Sequence, residues 1–400
     1  MRVVTIGMGY IGLPTSALIA SKEIYVTGID INQDVVDTIN RGMIHIVEPE
    51  LDKVVKETVR LGYLRASIQP EAGDIYLIVV PTPFKENYEA DISCIEKATQ
   101  SIIPFLKEND LYVIESTSPI GTTEKMAEFI FSQRPELEKK IHIAYCPERV
   151  LPGNVMHELV HNDRIVGGID DGSTRAAVNF YELFVKGEIH KTNSKTAEMC
   201  KLVENSSRDV QIAFANELSF ICEKADINVW ELIELANKHP RVSILQPGCG
   251  VGGHCIAVDP YFIVSDYPKE AKIINKAREV NNFKPQWCIN IIEKEIKRFE
   301  SQKNSKPVVA FLGLSFKPNI DDLRESPALS IVNSSTENIP DDKYFIVEPN
   351  LTEHQKFRLV DVKYAIDKSD LIVVLVNHNE FKELDFKSKK VLNFVSNYND

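Results

Sequence analysis

The sequence of 400 residues has no CxxC pair, no apolar run near the ~20 residues of a membrane span and no surplus of positive charge. Its seven cysteines are an odd number, scattered from Cys94 to Cys288. That excludes a disulfide framework and a zinc ribbon, and points to a reducing, cytoplasmic compartment. Forty-six Lys and Arg face 58 Asp and Glu, a net charge of -12. Nucleic acid and anionic membrane are therefore not expected as partners, and any anionic ligand has to be held by local cations. Short-period repeats are also missing. What remains is an ordinary composition, 44% apolar and 26% charged, with a length that suits two or three domains at about 150 residues each.

Arg2 and the apolar residues up to Ala20 resemble a secretory leader, but Gly7, Gly9, Gly12 and Pro14 interrupt the helical segment a leader needs, so a folded element is expected there. β-branched runs at Val3 to Ile6, Tyr25 to Asp30, Ile75 to Val80, Tyr112 to Ser116 and Ile141 to Tyr145 alternate with helical patterns, predicting a parallel sheet with crossover helices. From Ser194 to Ala225 one long helical pattern takes over, with Met199, Leu202, Val203, Ser206, Val210, Ala213, Phe214, Leu218, Ile221 and Cys222 on one stripe. Such a helix is expected to bridge domains or build a dimer interface. Helices are expected at Asn228 to Asn237 and from Lys269 to about Phe299, and Ser301 to Lys306 reads as a linker. Strand signals return at Val308 to Leu312, Tyr344 to Val347 and Leu371 to Val376. The expected fold class is α/β, with two Rossmann-like doubly wound domains joined by a central helical domain. The expected boundaries are 1–193, 194–300 and 301–400.

Gly7-Met-Gly9-Tyr10-Ile11-Gly12 follows the first strand and opens a helix. In a dinucleotide site these glycines provide a tight turn, close approach to pyrophosphate and close helix–strand packing, and the helix N-terminus favours the phosphates. Asp30, 18 residues beyond Gly12 at the end of the second strand, suits the adenosine ribose hydroxyls and repels a 2'-phosphate, favouring NAD over NADP. Methyltransferases also combine a glycine loop with a ribose-binding acid, so this unit alone leaves the cofactor open. Pro81-Thr82-Pro83, Ser116-Thr117-Ser-Pro-Ile-Gly121 and Cys146-Pro-Glu148-Arg149 follow later strands at the edge where such sheets bind ligands. Thr82, Thr117 and Glu148 either line one crevice or serve plain turn chemistry.

Lys201 and Asn205, four apart, share one face of the long helix, as a solvated pair or as working groups; Lys201 also has Glu198 and Glu204 within pairing distance in sequence. Between Arg241 and Asp259 lies a segment in which Gly248, Gly250, Gly252 and Gly253 leave backbone amides bare around a thiol, as a nucleophile and its oxyanion require. A buried structural cysteine is the competing reading. Spacing does not choose between Cys249 and Cys255. A metal site of Cys249, His254 and Cys255 lacks a fourth ligand, and no metal is expected.

Together the Gly7–Gly12 loop, Ser116 to Thr122, Pro147-Glu148, Lys201 to Asn205, the Gly-Gly-x-Cys-x-x-x-Asp run ending at Asp259, and Gly313 to Arg324 resemble the UDP-glucose/GDP-mannose dehydrogenase family, the nucleotide-sugar 6-dehydrogenases, over nearly the whole chain. The resemblance implies an NAD-binding domain, a central dimerisation domain and a C-terminal nucleotide-sugar domain. It also implies a four-electron oxidation of a sugar C6 alcohol to a carboxylate with two NAD consumed, yielding a precursor of surface polysaccharide. By position, Cys255 becomes the nucleophile, Lys201 and Asn205 stabilise or deprotonate the C6 oxygen, and Thr117, Glu148 and Asp259 order the hydrolytic water. Gly7, Gly9, Tyr10, Ile11, Gly12, Asp30, Thr82 and Thr117 would hold NAD. Glu148, Arg149, Lys201, Asn205, Arg241, Gly252, Lys317 and Arg324 would hold the UDP-sugar, with Arg241 reaching across a homodimer interface. Val258 before the catalytic Asp, where the UDP-glucose branch has Lys, and the His239-Pro-Arg241-Val and Gly-Gly-His254-Cys255 wording resemble the branch that acts on UDP-N-acetylmannosamine. UDP-N-acetylglucosamine is the second expected substrate and UDP-glucose the third. Cys249 stands where that branch commonly has Pro, a possible redox-sensitive thiol. A two-electron hydroxy-acid dehydrogenase and a non-catalytic NAD-binding module are the remaining alternatives.

Overall fold

In the computed structural model, residues 1–396 are described except 86–87, 151–152, 254 and 387–388. Two compact units, Met1–Val203 and Glu204–Asp400, divide the chain.

The strands of the first unit are β1 (Arg2–Ile6), β2 (Tyr25–Ile29), β3 (Leu64–Ser67), β4 (Ile75–Ile78), β5 (Leu111–Ile114), β6 (His142–Tyr145), β7 (Arg164–Gly168) and β8 (Ile189–Asn193). They form one sheet in the order β3-β2-β1-β4-β5-β6-β7-β8. Its helices are α1 (Gly12–Ala20), α2 (Gln33–Asn40), α3 (Leu51–Arg60), α4 (Ser93–Ile102), α5 (Thr122–Gln133), α6 (Val155–His161) and α7 (Asp171–Tyr181). Residues 2–20 are thus a central strand and its helix. Alternate residues of one strand enter opposite cores: Ile75 and Leu77 pack on one face, Tyr76 and Ile78 on the other. A strand buried on both sides reads as a continuous apolar run, which is why the central strands were visible in sequence.

Three strands carried no such signal. β3 and β8 are the sheet edges, and the sequence IHKTN of β8 presents charge where an edge meets water. β7 ends in two glycines, and it pairs with β6 antiparallel, the one departure from the expected parallel order among the described pairs of this sheet.

α8 (Ser194–Ala225) begins in the first unit and runs on into the second with the expected bounds. Its 32 residues contain neither Gly nor Pro. It stops where Asp226 turns left-handed at φ 55° and the Ile227 amide reaches back 2.9 Å to the Cys222 carbonyl, a Schellman closure.

The second unit adds α9 (Val229–Ala236), α10 (Asp259–Asp266), α11 (Lys272–Lys303), α12 (Pro327–Thr336) and α13 (Val362–Lys368) to strands β9 (Val309–Leu312), β10 (Tyr344–Val347), β11 (Leu371–Val374) and β12 (Lys390–Asn393). These four strands pair in parallel in the order β10-β9-β11-β12. α11 runs through Ser301 to Lys303, so the expected linker is helical over its first half; Asn304 closes the helix at φ 51°. Among the described residues, no helix is long and apolar enough to cross a membrane.

The sheet of the second unit repeats the geometry of the first. Gly7 and Gly313 both follow their strand at φ 97°, and each amide donates 2.8 Å to the last carbonyl of the neighbouring strand, Ile29 or Val347. An acid follows that neighbour in each case, Asp30 or Glu348. Their surroundings differ. Glu348 is buried, accepts from the Leu314 amide (2.7 Å) and the Ser315 amide (3.1 Å), and pairs with buried His378 at 3.1 Å. Burial opposes its charge, but these donors win and bring its carboxyl down to about 2. Its other oxygen accepts from the Asn350 amide at 3.1 Å, so this acid is buried and held inward, whereas Asp30 is half-buried at the loop.

Candidate active site

In the first unit, strand order reverses between β1 and β4, the switch point where doubly wound sheets bind ligands. The loop after β1 is shaped by contact. A Cβ on Gly7 would lie 2.3 Å from the Val79 carbonyl oxygen, and one on Gly12 would lie 1.8 Å from the Gly7 carbonyl oxygen. Gly9 meets nothing within 4 Å, leaving its backbone open to an approaching ligand. Asp30 is fixed against this loop, accepting from the Met8 amide (3.0 Å) and the Asn32 amide (2.9 Å). Tyr10 is exposed and Ile11 half-buried beside Gly9.

Across the switch point, Ser116 pins two loops together. Its hydroxyl donates to the Val80 carbonyl at 2.7 Å and accepts from the Val80 amide at 3.0 Å. That sets Thr82 and Thr117 on adjacent loops. The Thr82 hydroxyl is buried and has no hydrogen-bond partner among the described residues. Orphaned hydroxyls of this kind call for a ligand or water; with Gly9 and Asp30 it fits a bound dinucleotide. Replacing Asp30 with alanine is expected to raise the KM for NAD about tenfold, the worth of one or two ribose hydrogen bonds. Steady-state titration of NAD and NADP checks this; an unchanged KM contradicts the assignment.

Glu148 is buried after β6. One oxygen accepts from the Arg149 amide (2.7 Å) and the other from buried Arg164 at 2.5 Å. The Arg149 guanidinium bonds the Asp163 carbonyl at 2.7 Å.

Lys201 and Asn205 share a face of α8, as their spacing requires. Lys201 is half-buried and makes no ion pair with a described residue. Glu198, one turn earlier, is occupied elsewhere: fully buried, it accepts from the Gly121 amide (2.5 Å), the Thr123 amide (2.8 Å) and the Thr123 hydroxyl (2.6 Å). It therefore caps α5 and ties the Thr117 loop to the helix that carries Lys201. Burial raises its pKa despite these donors. No local pattern marked this role, because 75 residues separate Glu198 from Thr123. Glu198→Gln turns an NH2 toward amide donors, and is expected to cost about 2 kcal/mol of stability. An unchanged urea midpoint would refute the cap.

In the second unit, Cys255 is exposed, and its carbonyl accepts from the Val258 amide (3.1 Å) and the Asp259 amide (2.8 Å). The chain thus turns helical after the thiol, and buried Asp259 opens α10 four residues on. Asn205 donates to the Asp259 carboxylate at 2.5 Å. Cys249 is a core residue: its thiol contacts the Leu375 carbonyl at 3.3 Å, and burial pushes its pKa up, leaving little thiolate for redox chemistry. His254 lies outside the described residues. The glycines between the two thiols answer mainly to packing. A Cβ on Gly252 would lie 2.5 Å from the Glu325 carbonyl oxygen and 2.7 Å from Phe316, and the Gly253 amide is already bonded to the Arg324 carbonyl at 3.2 Å.

Arg324 is exposed, its guanidinium forked onto Asp322 at 2.9 and 2.5 Å. Lys317 and Arg241 are exposed, and neither side chain pairs with a described residue.

A glycine loop at a topological switch point with an acid on the next strand is the geometry of a nucleotide-cofactor site. Three family models cover the chain. The NAD-binding domain of the UDP-glucose/GDP-mannose dehydrogenase family matches residues 1–185, its central domain 195–283 and its UDP-binding domain 310–396. The chain belongs to this family, and NAD is its cofactor. It is 52% identical to the UDP-N-acetyl-D-mannosamine dehydrogenase of Campylobacter jejuni, covering 98% of each chain. It is 51% identical to the NDP-N-acetyl-D-galactosaminuronic acid dehydrogenase of Ralstonia nicotianae, over 95% of this chain and 91% of that one. Among solved structures, the UDP-D-ManNAc dehydrogenase of Pyrococcus horikoshii matches at TM-score 0.89 and 36% identity, over 99% of this chain and 95% of the other.

Proposed function

We propose that the chain oxidises the C6 alcohol of UDP-N-acetyl-D-mannosamine to the uronate, consuming two NAD. The observation that carries this reading is the exposed Cys255 thiol one helical turn before buried Asp259, itself bonded to Asn205. A two-electron alcohol oxidation has no use for that arrangement. In this reading residues 1–193 hold NAD, 194–300 carry the thiol and the dimer contacts, and 301–400 hold the UDP part. The limits of the three family models support that division.

NAD, held by the Gly7–Gly12 loop and Asp30, would supply the hydride acceptor for C6 in each of two successive oxidations. Lys201 offsets the negative charge that develops on the C6 oxygen, with Asn205 beside it. Cys255 adds to the resulting aldehyde, and loss of the second hydride leaves a thioester. Thr117, Glu148 and Asp259 order the water that hydrolyses it, a carboxylate taking the proton. Lys317, Arg324 and Arg241 offset the diphosphate, and Arg149 and Gly252 border the sugar.

Arg241 comes from the second copy of a homodimer. Support comes from Phe214 and Ile221, seven apart on α8, and Phe283 on α11, which are 52%, 54% and 50% exposed. Large apolar side chains left exposed on the two long helices suit burial against a second copy. The reducing cytoplasm keeps Cys255 a thiol, and the uronate suits a surface-polysaccharide precursor.

The 51% identity to the galactosaminuronic relative supports an N-acetylgalactosamine nucleotide, which differs from the mannosamine sugar at both C2 and C4, as the second reading. A panel of UDP-sugars with NAD, with the acid identified by mass and NMR, decides between them. The N-acetylmannosamine sugar is expected to give the highest kcat/KM; clear preference for another hexosamine or for UDP-glucose would replace it.

A further inference from the structure

At the carboxyl ends of β5 and β6 the first unit buries more charge than the reaction uses. Glu115 follows β5, Cys146 and Glu148 follow β6, Arg164 opens β7, and Tyr181 ends α7. Antiparallel pairing of Ala144 with Gly168 and Tyr145 with Gly167 carries the start of β7 past the end of β6, which is how Arg164 meets Glu148. All five residues are buried. Arg164 holds Glu148 at 2.5 Å and the Leu159 carbonyl at 3.3 Å, and its guanidinium lies 5.5 Å from the centre of the Tyr181 ring. The Tyr181 hydroxyl donates to Glu115 at 2.6 Å. Two polar atoms are left over: the second oxygen of Glu115 and Nε of Arg164 find no partner among the described residues. Two carboxylates thus share one buried cation, and only Glu148 touches it.

We infer that Arg164 and Glu115 are positioning residues for the hydrolytic half of the reaction, Arg164 fixing the Glu148 carboxylate as an ionised acceptor and Glu115 setting how fully Arg164 is committed to it. This rests on the role proposed above for Glu148. Desolvation offsets much of the attraction in a buried ion pair, but removing one partner leaves a costly bare charge. One guanidinium neutralises one carboxylate, so the second takes a proton instead. Burial pushes the Glu115 carboxyl up to about 7, the nearby Arg164 charge opposing that rise. Burial also raises the thiol of Cys146 to about 12 and holds the Tyr181 hydroxyl well above its usual value, so neither supplies charge at neutral pH. Of Glu115, Cys146 and Tyr181, only Glu115 titrates there.

Protonated Glu115 leaves Arg164 wholly to Glu148, whose carboxylate is then tied up by its partner. When Glu115 ionises, the cation is shared between two anions, and the Glu148 carboxylate is freer to accept a hydrogen bond from the water. In hydrolysis the water oxygen bonds to the C6 carbonyl carbon, the C–S bond breaks, Cys255 leaves as thiolate, and a proton of the water passes to the carboxylate. The hydrolytic rate therefore rises with pH through about 7.

The test uses the full-length enzyme with NAD and UDP-N-acetylmannosamine, comparing wild type with Arg164→Lys, Glu115→Gln and Glu148→Gln. Arg164→Lys keeps the charge but loses the fork, and is expected to lower kcat by about 10- to 100-fold with little change in KM. Rapid mixing should show a burst of two NADH per thiol, and intact mass should show the uronyl adduct on Cys255. Glu115→Gln is nearly isosteric and keeps an acceptor for Tyr181; it is expected to abolish the rise in hydrolytic rate near pH 7. That second variant keeps the inference testable should Arg164→Lys fold poorly. If Glu148→Gln accumulates the adduct while Arg164→Lys turns over normally and Glu115→Gln keeps the wild-type pH profile, the inference is overturned and the role of Glu148 stands. If Glu148→Gln itself turns over normally, both fall together.

Discussion

Cys255→Ala is expected to retain sugar-nucleotide binding and lose formation of the acid by at least about 10³-fold, the scale on which enzymes respond to removal of a nucleophile. The reason lies in the second oxidation. A C6 aldehyde has no hydroxyl from which a hydride can leave until something adds to it, and the proposed adduct is the thiohemiacetal with Cys255. Alanine leaves only the slow hydrate. Alanine keeps the backbone carbonyl of residue 255, which accepts from the Val258 and Asp259 amides at 3.1 and 2.8 Å and shapes the turn into α10. Loss of activity would therefore report chemistry and not folding. A hydroxy-acid dehydrogenase predicts the opposite, near-normal turnover without the thiol. Quenched-flow detection of aldehyde, with thermal unfolding as a control, separates the two.

Lys201→Met is expected to reduce kcat by about 10²- to 10³-fold, the usual cost of removing one group that stabilises a developing oxyanion. Methionine keeps most of the stem, so packing along α8 changes little. Lys201 makes no ion pair with a described residue, so the substitution strands no buried carboxylate partner. Its neighbour Glu198 remains bonded to Gly121 and Thr123. The loss should therefore fall on kcat with modest change in KM or stability. A loss confined to KM would make Lys201 a binding group only.

The pattern of what could be read from the chain follows from range. β1, β4 and β9 announced themselves because both faces are buried, and the limits of α8 because nothing interrupts 32 residues until Asp226. Edge strands β3 and β8 stayed silent, since water on one side removes the apolar signal. The Gly7–Gly12 loop was legible because its meaning is local; Gly7 answers to Val79 after the adjoining strand, Gly12 to Gly7, and Gly9 keeps its backbone open. The glycines before Cys255 were read as bare amides around a thiol, yet Gly252 and Gly253 are shaped by Phe316, Glu325 and Arg324, more than 60 residues distant. Glu198 and Arg164 were invisible as partners for the same reason. Lys201 was weighed against pairing with Glu198, an i,i+3 neighbour, but the cap of α5 claimed that carboxylate first. Cys249 and Cys255 were chemically equivalent in sequence; burial against Leu375 separates them.

The most direct test of the account is the number of NADH formed per UDP-N-acetylmannosamine consumed by the intact enzyme, measured to completion with the product identified. Two NADH with the uronate as sole product is the predicted result. One NADH with accumulated C6 aldehyde would contradict it, because Cys255 and Asp259 would then have no reaction to perform.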